Sequence, residues 1–107
     1  MTIKVRGKRL DPVLQQIVDA LREYDQAHPN AEIEAYRHNS VSLRIRVLNP
    51  DFANKTNVQR EDEIWAILVK LPEETVAEVN QLLLLTPEEA KKSFASCEFD
   101  HPIPSKL

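Results

Sequence analysis

Hydrophobic and polar positions alternate with two different periods along the chain, and each change of period marks a new element. Over residues 13–24 the apolar positions recur every three or four residues, which predicts an amphipathic helix, and Asp11 followed by Pro12 provides its start. The segments 31–37 and 41–48 instead alternate with period two and predict two strands. The pattern therefore predicts a helix followed by a β-hairpin.

The charges on these strands predict how the hairpin is paired. A turn around residues 38–40 sets Glu34 opposite Arg44 and Glu32 opposite Arg46. The same register places the alternating apolar residues of both strands on one face. Opposite charges facing each other across strands stabilise a sheet by about 0.2 to 1 kcal/mol per pair. We therefore expect two cross-strand ion pairs on the face that points away from the core.

The second half of the chain adds helical segments and one more strand. Thr56 begins a capping box that predicts a central helix, and Pro72 opens a short helical turn. The segment 79–85 contains four consecutive leucines and predicts a third strand, buried on both faces for part of its length. A second capping box at residues 86–89 starts a last helix.

These elements predict an α/β two-layer sandwich of order α-β-β-α-α-β-α, with a three-stranded mixed sheet and helices on one face. The 107 residues suffice for one domain. We divide the chain into a basic N-terminal arm (1–10), a single domain (11–97) and an extended, proline-containing tail (98–107). A sheet covered on one face only leaves alternate leucines such as Leu83 and Leu85 in solvent, which predicts a contact surface unless the tail covers it.

Composition excludes several functional classes. The single glycine rules out a Gly-rich phosphate-binding loop, and no serine stands in a nucleophile elbow. No apolar run is long enough to cross a membrane, and a lone Cys97 cannot form an internal disulfide. We expect a cytoplasmic protein that is not an enzyme and has no cofactor. The terminal residues 105–107, Ser-Lys-Leu, match a peroxisomal address that would apply only in a eukaryote.

Few residues offer metal or phosphate chemistry. Cys97 and His101 stand four residues apart in the predicted extended tail, where this spacing does not place both side chains on one side, and His38 falls in the predicted turn. We expect no metal site, and a metal-dependent protein using these residues is a minor alternative. The net charge is −3, and the basic residues cluster in segments 1–9 and 37–60.

Residues 41–89 resemble the BolA family. The resemblance rests on the spacing of five features. Phe52 is followed by a loop pair, Asn54 and Lys55, and Arg60 and Glu61 then open the central helix. Trp65 and Leu68 are apolar positions of that helix, and residues 86–89 form a capping box. The order of elements agrees with the family along the whole chain. The resemblance implies a fold similar to type II KH domains.

The family's known partners are monothiol glutaredoxins, with which its members handle iron–sulfur clusters, and some members are proposed to regulate transcription on DNA. The family's cluster-ligating histidine is replaced here by Glu61, and carboxylate is a poor ligand for such a cluster. We therefore expect a protein-binding or regulatory module without iron–sulfur ligation, self-association included. The alternative is a nucleic-acid-binding transcriptional regulator. Partner binding is assigned to six residues: Leu83, Leu85, Arg44, Arg46, Lys55 and Arg60.

Overall fold

The structure is a computed structural model and describes residues 2–7 and 11–101. Its elements are, in order, β1 (Thr2–Arg6), α1 (Pro12–Ala27), β2 (Glu32–Asn39), β3 (Ser42–Leu48), a 3-10 helix (Pro50–Asn54), α2 (Asn57–Leu68), α3 (Glu73–Ala77), β4 (Val79–Leu85), α4 (Pro87–Lys92) and α5 (Phe94–Asp100). The strands form one mixed sheet in the order β1-β2-β3-β4, in which only β2 and β3 run antiparallel. The predicted α/β class is confirmed.

The helices begin where their caps predict. The Asp11 carboxylate accepts a hydrogen bond from the Leu14 amide at 2.9 Å, and Pro12 occupies the first helical position of α1. Thr56 and Thr86 open α2 and α4 with complete capping boxes. These contacts satisfy backbone amides that have no partner inside the helix, so the starts of all three helices follow from local sequence.

The core lies between one face of the sheet and the helices α1 and α2. Leucine and isoleucine side chains at the helical spacing of α1 meet the alternating apolar residues of the strands. The residues with no exposed side-chain surface include Leu14, Ile17, Leu21, Ala35, Leu43, Ile45, Val47, Phe52, Ile64 and Leu68. Burial of this apolar surface is the main force that holds the two layers together.

The sheet has four strands, so the prediction of a three-stranded sheet was wrong. Residues 2–6, predicted to be part of a basic arm, form β1. This strand lies at one edge of the sheet and pairs in parallel with β2. Ile3 and Val5 pack against the core, whereas Lys4 and Arg6 lie on the opposite face. The alternation of apolar and polar residues in this strand spans only five positions, and two of these are basic, so the segment resembles a charged arm.

The register of the hairpin is shifted by two residues from the predicted one. Arg46 lies opposite Glu34, and Arg44 lies opposite Tyr36, so the predicted pairs Glu34 with Arg44 and Glu32 with Arg46 do not form. The turn is shorter than expected, because β2 runs on to Asn39 with an irregularity after Arg37. A shift of two residues keeps every side chain on its predicted face, which is why the hydrophobic pattern did not reveal the error.

The chain after β4 also differs from the prediction. The last helix is broken at Ser93 into α4 and α5, and residues 98–100 of the predicted extended tail belong to α5. Ser93 caps the second segment by accepting a hydrogen bond from the Ser96 amide at 3.1 Å. Helix α5 packs on the sheet face opposite the core, so the helices do not all lie on one face. Residues 102–107 lie outside the described part of the chain.

An ion pair joins the start of α1 to the hairpin. Arg37 donates hydrogen bonds to Asp11 at 2.7 and 3.1 Å and also contacts Glu78 at 2.9 Å. The hydrogen bond from Arg37 lowers the pKa of Asp11 from 3.8 to about 2. Because the folded state binds this proton less tightly than the unfolded chain, the pair stabilises the fold fully above about pH 4 and stops doing so as the pH falls through about 2.

Replacing Asp11 with asparagine tests this linkage. Asparagine is also a good N-cap residue, so the substitution removes the charge and keeps the start of α1. We expect the free energy of unfolding of Asp11→Asn to fall less between pH 5 and pH 2 than that of the wild type. Urea unfolding at each pH measures the difference. The matched control is Asp19→Asn on the exposed side of α1, and a control that changes the profile as much as Asp11→Asn contradicts the assignment.

Candidate interaction surface on the sheet

The face of the sheet opposite the core is rich in arginine. The polar side chains that alternation along the strands sends to this face include Arg6 from β1, Tyr36 from β2, and Arg44 and Arg46 from β3. We refer to the three arginines as the arginine face. Their side chains are mostly buried, with exposed fractions of 27%, 12% and 11%. Helix α5 lies over them and accounts for this burial.

Three carboxylates pair with the arginine face. Arg44 Nη1 lies 2.7 Å from Glu98 Oε1. Arg46 lies 3.0 Å from Asp100 and 3.2 Å from Glu34. The hydrogen bond from Arg46 lowers the pKa of Asp100, which keeps that carboxyl ionised. Two of the three counter-charges therefore come from α5 and only one from the sheet itself.

Phe99 is the aromatic anchor of this contact. Its ring meets Tyr36 edge to face at a centroid distance of 4.9 Å, and the guanidinium carbons of Arg6 and Arg46 lie 4.8 and 4.6 Å from its centroid. The carbonyl oxygen of Phe99 accepts hydrogen bonds from the Tyr36 hydroxyl at 3.0 Å and from Arg6 Nη2 at 2.7 Å. Side chain and backbone of one residue thus hold α5 to the sheet.

The two leucines assigned to partner binding lie on this same face. Leu83 pairs with Arg46 and Leu85 pairs with Leu48, whereas the intervening Leu84 is buried in the core. The side chains of Leu83 and Leu85 are partly buried. The structure thus brings four of the six assigned residues, these leucines with Arg44 and Arg46, to one side of the sheet.

Arg60 lies elsewhere and is almost fully buried, with 5% of its surface exposed. Its guanidinium donates to the carbonyl oxygens of Leu84 at 3.0 Å and Phe52 at 2.6 Å, and it pairs with Glu89 at 2.7 Å. These bonds join α2 to β4, to the 3-10 helix and to α4. Because β4 is an edge strand, Arg60 also occupies a carbonyl that would otherwise be open to another chain.

Lys55 and Glu61 flank the start of α2. Lys55 Nζ lies 2.8 Å from Glu63, which leaves it partly buried. Glu61 is exposed and lines a groove of about 240 Å³ between α2 and β4. Asn57 and the β4 leucines form the rest of this groove. A single carboxylate beside aliphatic side chains offers no second ligand for a metal cluster.

Cys97 and His101 stand one helical turn apart at the end of α5, whereas His28 and His38 belong to other elements. Within residues 2–7 and 11–101, no three His, Cys, Asp or Glu side chains are placed to hold a metal ion. The prediction that Cys97 and His101 lie in an extended tail was wrong. Helix α5 contains Cys97, and the His101 amide donates a hydrogen bond to the Cys97 carbonyl at 3.0 Å. His38 lies in β2 rather than in a turn. His28 caps α1 and stacks on Tyr24 at 4.0 Å.

Sequence reasoning missed the residues that cover the arginine face. Glu98, Phe99 and Asp100 fall in the segment predicted as an extended tail, and Tyr36 lies beneath them on β2. One local feature of the sequence indicates α5. Two lysines suit the end of α4, and the serine that follows them, Ser93, is a good N-cap for a new helix. No local feature indicated on which side of the sheet this short helix would pack.

No family model, no curated protein and no solved structure gives a significant match to the chain. Among the residues that the structure describes, no helix is both long enough and apolar enough to span a membrane.

Proposed function

We propose that the chain is a BolA-like, non-enzymatic module that binds a protein partner and acts as a regulatory component without an iron–sulfur cluster. The observation that carries the proposal is the position of Leu83 and Leu85 beside the arginine face on β4, at the edge of the sheet. Partly buried leucines next to paired charges are typical of the apolar centre and polar rim of protein interfaces. The order of elements from α1 to α4 also agrees with the order expected for the family.

The charges support a protein partner over a nucleic acid. Arg44, Arg46, Arg60 and Lys55 all form ion pairs with carboxylates of the same chain. A nucleic acid binds through cations that are free to neutralise phosphates, and pairing removes that capacity. The net charge of −3 adds a weak repulsion. The concentration of arginines on one face is the support for the alternative, a nucleic-acid-binding regulator.

Leu83→Glu tests the proposed protein-binding surface. Its matched control is Val69→Glu, since Val69 is 66% exposed beyond the end of α2, away from the sheet face. We expect wild type and Val69→Glu to recover the same stoichiometric partner from native lysate or to form the same oligomer by light scattering, and Leu83→Glu to lose it. Thermal unfolding of both variants checks that they remain folded.

Two outcomes contradict the proposal. One is a Leu83→Glu protein with unchanged mass in solution, unchanged stability and unchanged partner recovery. The other is salt-dependent retention of the wild type on heparin or DNA that is abolished when Arg44 and Arg46 are replaced, because that result favours the nucleic-acid alternative.

A further inference from the structure

The charges of the arginine face balance only when α5 is in place. The sheet contributes Arg6, Arg44 and Arg46 and the single carboxylate of Glu34. Helix α5 contributes the other two carboxylates of the cluster. Three positive charges then meet three negative charges. Lys4 and Glu32 add one charge of each sign to the same face. Without α5 this face of the sheet would therefore carry a net charge of +2 around an exposed tyrosine ring.

Helix α5 depends on the sheet for its helical form. It has seven residues, too few to be stable as a helix in water, so its helical form depends on docking. Its two buried side chains, Ser96 and Phe99, do not belong to the main hydrophobic core. Most of its remaining contacts with the sheet are ion pairs and hydrogen bonds. Displacing α5 therefore leaves the core between the sheet and α1 and α2 intact.

Two buried polar atoms on the same side of the sheet as the arginine face have no partner in the described part of the chain. Arg44 Nε and Gln81 Oε1 are buried and have no hydrogen-bond partner among the described residues. Arg44 and Gln81 are neighbours in the register of β3 and β4, on the face that α5 covers. A bound segment with a polar side chain at this position would give both atoms a partner.

We propose that the arginine face is a binding surface for an acidic, aromatic-containing helical segment of a partner protein, and that α5 occupies this surface in the free chain. The required chemistry is that of α5 itself: an aromatic ring to lie against Arg6 and Arg46, and carboxylates to meet Arg44 and Arg46. The proposal rests on the proposed protein-binding function and names the kind of partner and the contact that regulates it.

A nucleic acid fits this surface less well. Glu34 pairs with both Arg6 and Arg46, so a fixed negative charge stands among the arginines. A phosphate backbone placed there would meet this carboxylate, and burying like charges together is unfavourable. A peptide with spaced carboxylates can reach the arginines while its aromatic ring lies over Tyr36. Its negative charges then need not lie next to Glu34.

The test uses full-length chains and a synthetic peptide of residues 93–101 that is labelled with fluorescein and carries Cys97→Ser. Phe99→Ala in the protein weakens the docking of its own α5. The matched control is Phe94→Ala, which removes the same ring from the same helix at a position that is 87% exposed. Because α5 competes at the effective concentration of a tethered segment, we expect Phe99→Ala to bind the peptide at least tenfold more tightly than wild type or Phe94→Ala.

Two further variants test whether the protein recognises the carboxylates of the peptide through Arg46. A peptide that carries Glu98→Gln and Asp100→Asn should lose most of the binding, and Arg46→Gln in the Phe99→Ala protein should do the same. Circular dichroism of every variant checks that the main fold persists. Equal binding by Phe99→Ala and Phe94→Ala overturns the proposal, and so does concentration-dependent dimerisation of Phe99→Ala, which would make a second copy the occupant.

The peptide test does not depend on any cellular partner or on Leu83. Loss of partner recovery in Leu83→Glu together with no peptide binding would therefore reject the acidic-segment inference alone. Peptide binding together with unchanged behaviour of Leu83→Glu would reject only the leucine surface of the proposed function.

Discussion

Replacing Arg60 with alanine is expected to lower the free energy of unfolding by about 3 to 5 kcal/mol. The guanidinium is almost fully buried and satisfies the carbonyl oxygens of Phe52 and Leu84. Without it these oxygens lose a charged donor in a region that water enters poorly, and Glu89 loses its ion pair. Urea unfolding followed by circular dichroism measures the change.

Lys55→Ala is the matched control for Arg60→Ala. Both residues are cations near the start of α2, and the sequence assigned both to partner binding. The Lys55 ammonium pairs with Glu63 and its side chain is about one-third exposed, so we expect its replacement to cost less than about 1 kcal/mol. If the two variants lose similar free energy, Arg60 does not join α2 to β4 in the manner described.

Phe52→Ala is expected to destabilise the fold by about 3 to 5 kcal/mol. The ring has no exposed surface and holds the 3-10 helix against the core, with the Tyr24 ring at a centroid distance of 6.5 Å and the Arg60 guanidinium 5.3 Å from its centroid. Removal of the ring leaves a cavity at the junction between β3 and α2. Chemical unfolding of the purified variant gives the loss directly.

Phe94→Ala provides the control, because this ring is 87% exposed and its removal should change stability by less than about 0.5 kcal/mol. The double variant Phe52→Ala with Arg60→Ala adds a second check. Arg60 bonds to the Phe52 carbonyl and lies over its ring. The double variant should therefore lose less free energy of unfolding than the sum of the losses of the two single variants. Strict additivity would show that the two residues act independently.

The leucine-rich strand shows how far a local pattern can reach. Residues 79–85 were predicted as a strand, and they form β4 over that whole range, parallel to β3 as the intervening helix requires. The prediction that Leu83 and Leu85 share the uncovered face also follows from alternation. Their use in binding remains a prediction. The pattern could not show that α5 would cover the neighbouring part of that face.

The arginines show where the sequence stops being informative. Arg44 and Arg60 look alike in sequence, both basic and near the middle of the chain, yet one lies under α5 and the other closes the edge of the sheet. Their main partners are 54 and 29 residues away. No local spacing encodes such distances, because they depend on how the whole chain packs.

The sequence by itself determined the starts of α1, α2 and α4, the faces of the strands and the α/β class, since each depends on residues a few positions apart. Tertiary structure decided the hairpin register, the place of β1 at the sheet edge and the packing of α5 on the arginine face. Glu34, for example, could satisfy either Arg44 or Arg46 from the same face, and in the folded chain it pairs with Arg46 while Glu98 of α5 pairs with Arg44. Contacts between distant segments compete for the same charges, and only the complete fold determines which pairs form.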